Sequence, residues 1–227
     1  FPDFKLHLAQ SLAHGTLYVN RNVDEDDSVE SYTGKIFESA MASLDQVHHS
    51  LDMSAINRAV DLLTQAKKIA FFGLGSSAAV AHDAMNKFFR FNVPVIYSDD
   101  IVLQRMSCMN CNDDDVVVII SHTGRTKSLV ELAQLAREND AMVIAITSPG
   151  TPLSREATLA ITLDVPEDTD IYMPMVSRLA QLTVIDVLAT GFTLRRGAKF
   201  RDNLKRVKEA LKESRFDKEL SVHSNNQ

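Results

Sequence analysis

KKIAFFGLGSSAAVAHD, residues 67–83, passes from an apolar run through two glycines into a segment with helical spacing. An apolar run as short as 69–72 reads as a strand buried on both faces, the pattern of a parallel sheet. Four more such runs follow at 93–97, 116–120, 142–146 and 159–163. Helical spacing separates the first four, as Leu129, Leu132, Ala133, Leu135 and Ala136 illustrate, and residues 67–164 read β-α-β-α-β-α-β-α-β. The predicted fold class is α/β, a doubly wound five-stranded parallel sheet flanked by helices. Extra helices are expected before the sheet, at 28–47 and 53–63, and after it, at 176–194 and 201–213. Residues 176–194 are apolar on most faces, so that helix is covered by its own domain or buried at a subunit interface.

With 227 residues, 45% of them hydrophobic, the chain can bury a real core as one domain with or without an appendage. Its net charge of −6 argues against this piece holding nucleic acid by itself, because such binding depends on clustered Lys and Arg. No run is long enough to span a membrane. The chain opens on Phe1-Pro2 without a leader pattern, which reads as a fragment of a longer cytosolic protein. Cys108 and Cys111 form a lone C-x-x-C with no second pair and no nearby His, so they are expected to be two ordinary thiols in a reducing compartment. No metal and no cofactor are expected. The acidic run 24–27 reads as a solvated linker and 216–227 as a polar tail.

Two turns carry the chemistry. Gly73, Gly75 and Ala78 fit G-x-G-x-x-A, with Asp99 and Asp100 after the next strand, which keeps a nicotinamide-dependent oxidoreductase open. The same glycines also suit a tight turn with close helix packing. After the third strand comes Ser121-His122-Thr123-Gly124-Arg125-Thr126, a second strand-to-helix turn. Helix N-termini present unpaired N–H groups and partial positive charge, and both turns open at the carboxyl edge of a parallel sheet. Ser76, Ser77, Ser121, Thr123 and Thr126 would add hydroxyls around one terminal phosphate, with Gly75 and Gly124 making the backbone turns. A dinucleotide pyrophosphate has no use for the second hydroxyl-rich turn. Helix capping by Ser121 or Thr123 is the alternative for these hydroxyls.

The pair GLGSS and ISHTGRT, in this order, resembles the sugar isomerase (SIS) domain over about residues 36–211. The resemblance implies a flavodoxin-like three-layer fold and phosphosugar binding by Ser76, Ser77, Ser121, Thr123 and Thr126. His122 falls on the variable position between the first two hydroxyls of the second turn and is kept as a ligand-binding candidate. Whether Ser76 or Ser77 faces the ligand stays open.

FPDFKLHLAQSLA, residues 1–13, places Phe4, Leu8 and Leu12 on one helical face and resembles the closing segment of the helix-turn-helix domain in RpiR-type bacterial regulators. The run from residue 173 to 220 resembles a member of that family that regulates hexose catabolism. The organisation implied is a helix-turn-helix remnant at 1–15, an acidic linker at 16–28, an SIS effector domain at 29–215 and a tail at 216–227. The function implied is that of a cytoplasmic, ligand-sensing repressor domain without turnover. Its effector would be a phosphorylated sugar acid, 2-keto-3-deoxy-6-phosphogluconate, and operator DNA would be bound by the longer chain as a homodimer or larger oligomer. A phosphosugar aldose–ketose isomerase is the alternative; His122, His82 and Glu131 are the candidate bases, none compelling.

Overall fold

The computed structural model describes residues 23–167, 170 and 173–212. The expected helix within 1–15, the linker up to residue 22 and the tail at 216–227 lie outside the described residues. In chain order the elements are α1 (Val29–Ser50), α2 (Met53–Gln65), β1 (Lys68–Gly73), α3 (Ser76–Phe88), β2 (Val95–Ser98), α4 (Ile101–Met109), β3 (Asp115–Ser121), α5 (Lys127–Glu138), β4 (Met142–Thr147), α6 (Pro152–Glu156), β5 (Leu159–Thr162) and α7 (Val176–Lys212). The five strands are all parallel, in the order β2-β1-β3-β4-β5.

Burial on both faces explains why the strands do not alternate in hydropathy. Phe71, Val118, Ile120, Ile144 and Ile146 face a core closed by α2, α3 and α7, whereas Phe72, Val117, Ile119, Val143 and Ala145 face one closed by α4, α5 and α6. The chain therefore forms three layers, helices on each side of one sheet.

Local signals set the helix starts. Ser28 accepts the Ser31 N–H at α1, Asp52 the Ser54 N–H at α2, and Asp100 the Val102 and Leu103 N–H groups at α4. Within the acidic run, Asp27 holds the entry to α1. Lys35 Nζ stands 2.7 Å and Ser31 Oγ 2.6 Å from its carboxylate, and these bonds together with the Asp24 N–H lower its pKa to about 2.

The last helical region keeps the expected break but narrows it. Two helices at 176–194 and 201–213 are predicted, and Val176–Lys212 consists of two helices that meet across a kink at Gly197, whose φ is 78°. A residue without Cβ takes that conformation at little cost. The helix resumes because Phe200 returns to a ring cluster of Phe88, Phe91 and Phe192, with Phe192 and Phe200 centroids 5.8 Å apart. One face of α7 is core, with Ala180, Val184, Ile185, Leu188 and Phe192 buried, while Leu179, Val187 and Leu194 are exposed. No helix among the described residues is long and apolar enough to cross a membrane.

Candidate functional site

Strand order reverses at β1. The chain runs from β1 outward to β2 and then crosses to β3 on the other side, so the turns after β1 and β3 leave adjacent strands at one carboxyl edge. Gly73 lies beside Ile120, and Ser121 beside Thr147, which brings the turn after β4 to the same rim.

Close packing shapes the first turn. A Cβ on Gly73 would stand 2.6 Å from the Ser77 carbonyl oxygen, so glycine is what lets α3 begin directly over its strand. Gly75, the N-cap of α3, has φ 58° and ψ −128°, with open space beside it. Because the cap carries no hydroxyl, α3 begins without a side-chain cap. The Ser77 and Ala78 N–H groups donate back to Leu74 and Gly75 carbonyls at 3.2 and 3.1 Å. Ser77 is buried and Ser76 half-buried.

The second turn is tied internally. Ser121 is 5% exposed, and its Oγ accepts the Gly124 N–H at 3.2 Å; Thr123 Oγ1 accepts the Arg125 N–H at 3.4 Å. Both bonds lie inside the turn, and the N-cap of α5 is Thr126, whose hydroxyl makes no capping bond. A hydroxyl that accepts one N–H still has its own proton to donate. Gly124, at φ 57°, is braced by the next turn: its carbonyl accepts the Leu153 N–H at 3.1 Å, and a Cβ there would collide with the Thr147 and Thr151 hydroxyls.

His122 looks across the site rather than standing alone in it. Its Nε2 is 3.1 Å from the Glu167 carbonyl oxygen and its Nδ1 3.5 Å from Ser148 Oγ. Arg125 holds the exposed Asp170 carboxylate through bonds of 2.6 and 2.8 Å. The other two candidate bases are elsewhere. His82 is exposed and stacks on Tyr97 at 4.9 Å, and Glu131 pairs with Arg105 at 3.1 Å on an exposed helix face. Asp100, weighed as a ribose ligand, has one carboxylate oxygen engaged as the cap of α4. Cys108 is buried, which pushes its thiol up to about 12.

Two residues that sequence reasoning missed organise this rim. Gln104, fully buried, donates from Nε2 to the Ser98 carbonyl at 2.7 Å and the Gly73 carbonyl at 3.4 Å, joining the ends of β2 and β1. The available signal was its spacing of four from buried Cys108, which puts a polar side chain on the inward face of α4. Glu167 is the other. Its carboxylate accepts the N–H groups of Met175, Val176 and Ser177 at 2.7, 2.8 and 3.1 Å, filling the N-terminal end of α7. No local pattern announces that role, since the partners of Glu167 lie 45 residues back and 8–10 residues ahead.

Burial by itself would raise the Glu167 pKa, but the Ser177 hydroxyl and the three backbone N–H groups outweigh it and hold the carboxyl below the ordinary glutamate range. A depressed folded-state pKa contributes stability that is fully present above the unfolded value and is lost as pH falls toward the folded one. Glu167→Gln should therefore destabilise the chain by about 1–2 kcal/mol at pH 7. Relative to wild type the deficit should shrink below about pH 4. Urea unfolding at both pH values checks this; a deficit that stays constant would mean that the carboxylate charge is not its source.

The reversal of strand order at β1 and the hydroxyl-bearing turn after β3 define a doubly wound α/β domain with a ligand-binding edge, and its class is that of the sugar isomerase (SIS) domains. The SIS domain profile matches residues 62–191. The HTH-type transcriptional regulator HexR of Escherichia coli (strain K12) is 93% identical over 220 residues, covering 97% of this chain and 76% of that protein. HexR of Pseudomonas aeruginosa is 55% identical over 216 residues, covering 95% and 76%. Vibrio vulnificus NanR, solved with ManNAc-6P, superposes with a TM-score of 0.74 at 22% identity, over 96% of this chain and 77% of that one. The sugar isomerase domain of an RpiR transcription factor from Sphaerobacter thermophilus gives 0.66 at 18% identity, over 78% and 98%. These two likenesses concern the fold alone. The chain belongs to the SIS domain family and, within it, to the HexR-type regulators of the RpiR family, and both HexR relatives are named as transcriptional regulators.

Proposed function

We propose that residues 29–215 form the effector domain of a transcriptional regulator of hexose catabolism, and that the turns at 73–77 and 121–126 together hold the terminal phosphate of a sugar acid. The effector that suits this reading is 2-keto-3-deoxy-6-phosphogluconate. Its phosphate monoester concentrates charge on three oxygens, which favours hydroxyl and amide donors from two converging turns. The observation that carries the reading is the adjacency of the two turns at the switch point, with the Thr126 hydroxyl making no cap and the start of α3 lacking a side-chain cap. NanR, which shares the fold, was solved with ManNAc-6P, a phosphorylated sugar.

Effector binding changes DNA affinity only if it favours one arrangement of the domain over another. Contacts on the rim support a route for that change. His122 meets the Glu167 carbonyl, the Glu167 carboxylate seats α7, and Gln46 of α1 donates to the Asp164 carbonyl at 3.1 Å. The second turn thus touches one short segment that also touches both α1 and α7. In this reading DNA is held by the helix-turn-helix portion that residues 1–15 close, in a cytoplasmic homodimer or larger oligomer. Substituting half-buried Ile36 on α1 or exposed Leu179 on α7 should alter assembly or the coupling of effector to DNA release. Light scattering and operator gel shifts check this, and unchanged behaviour at both positions counts against these helices as transmitters.

The function itself is tested by thermal shift against phosphorylated sugars and sugar acids. A ligand that binds only the folded chain raises its melting temperature, by an amount set by ligand concentration over Kd. The phosphorylated sugar acid should raise it and its dephosphorylated counterpart should not. Equal shifts with both, or none with any phosphorylated sugar acid, would remove the phosphate cup.

A further inference from the structure

Away from the two cysteines, a different group of metal-capable donors stands on the last turn of α1. Asp45, His48 and His49, spaced i, i+3 and i+4, each bring one ligand atom within 4.8 Å of the others. His49 Nδ1 is 2.8 Å from the Asp45 carbonyl oxygen and 3.4 Å from its carboxylate, and the two imidazoles meet edge-on with centroids 5.2 Å apart. Asp45 and His49 side chains are 73% and 71% accessible, so a cation bound there keeps water on its remaining positions.

Position in the helix favours positive charge. α1 ends at Ser50, and the unpaired carbonyls of a last turn make its end partially negative. The backbone of the turn is held from the other side, by buried Val47 and by the bond from Gln46 to Asp164, so the three side chains project from a fixed base. Two imidazoles and a carboxylate are the borderline nitrogen and oxygen donors that late first-row divalent ions take, Zn²⁺ and Cu²⁺ foremost.

We propose that Asp45, His48 and His49 form a surface binding site for a divalent transition-metal ion, with water filling the open coordination positions. A bound ion cross-links the final turn of α1, beside the segment that joins the phosphate rim to α7.

Isothermal titration of the untagged 227-residue chain with zinc chloride, after EDTA treatment and dialysis, tests the site. One ion should bind per chain and raise the melting temperature. The exposed double variant His48→Asn/His49→Asn should melt without metal as wild type does, lose the zinc-dependent rise and bind about tenfold or more weakly. Asp45→Asn alone should also weaken binding. Wild-type affinity and stoichiometry in the double variant, unchanged affinity in Asp45→Asn, or no zinc uptake by the wild-type chain would each overturn the proposal.

Discussion

Gly124→Ala should abolish effector binding and cost the fold about 2–4 kcal/mol, the sum of a left-handed non-glycine residue and an overpacked turn. Both terms come from geometry. Gly124 sits at φ 57°, and an added Cβ would collide with the hydroxyls of Thr147 and Thr151. Neither threonine can simply swing aside, because Thr151 Oγ1 accepts the Ser154 N–H that caps α6 and Thr147 Oγ1 reaches the His122 carbonyl. Relief must come from the backbone of residues 121–126, which displaces the hydroxyls proposed to hold phosphate. Gly34→Ala is the control. It lies inside α1 with nothing within 4 Å, and there alanine should stabilise by about 0.5–1 kcal/mol. Urea unfolding reads both variants, and titration with 2-keto-3-deoxy-6-phosphogluconate reads the binding loss. A Gly124→Ala chain of wild-type stability would mean that the turn relaxes freely and does not set the site.

Ser121→Ala should weaken effector binding by about 1.5–3 kcal/mol, a ten- to hundredfold loss, if its hydroxyl donates a charge-assisted bond to phosphate. The residue is nearly inaccessible at the end of β3, where its Oγ already accepts the Gly124 N–H. Removing the hydroxyl therefore also leaves that N–H unpaired, which lowers stability by about 1 kcal/mol on its own. The two effects separate by method, since calorimetric titration of the folded variant reports the phosphate contact and unfolding reports the turn. Thr126→Ala and Ser77→Ala should have smaller effects on binding. A Ser121→Ala chain that binds as wild type does would remove Ser121 from the site.

Much of the fold was legible because its signals are local. Each strand run matches a β-strand to within two residues, since an apolar stretch bounded by polar residues has few other uses in a chain of this composition. Gly73 and Gly75 were legible as a turn, and the two halves of the tight-turn reading fall on different glycines: Gly73 serves close packing, while Gly75 takes the backbone angle beside open space. After the sheet the break between two helices was legible, and its width was not. The break between two predicted helices contracted to Gly197 alone, because packing of Phe200 on Phe91 and Phe192 favours helix on both sides of it.

By itself the sequence determined the order of elements, the parallel sheet and the two hydroxyl-rich turns, because periodicity and turn chemistry act between near neighbours. Only tertiary structure decided how the rim is held. Gln104 joins the ends of two strands, Glu167 stoppers α7 while its carbonyl meets His122, and Thr147 and Thr151 leave no room at Gly124 for a side chain. Each of these depends on groups that the sheet brings together from distant positions, and a hydrogen bond or a steric limit is set by distance in space, which sequence spacing does not carry.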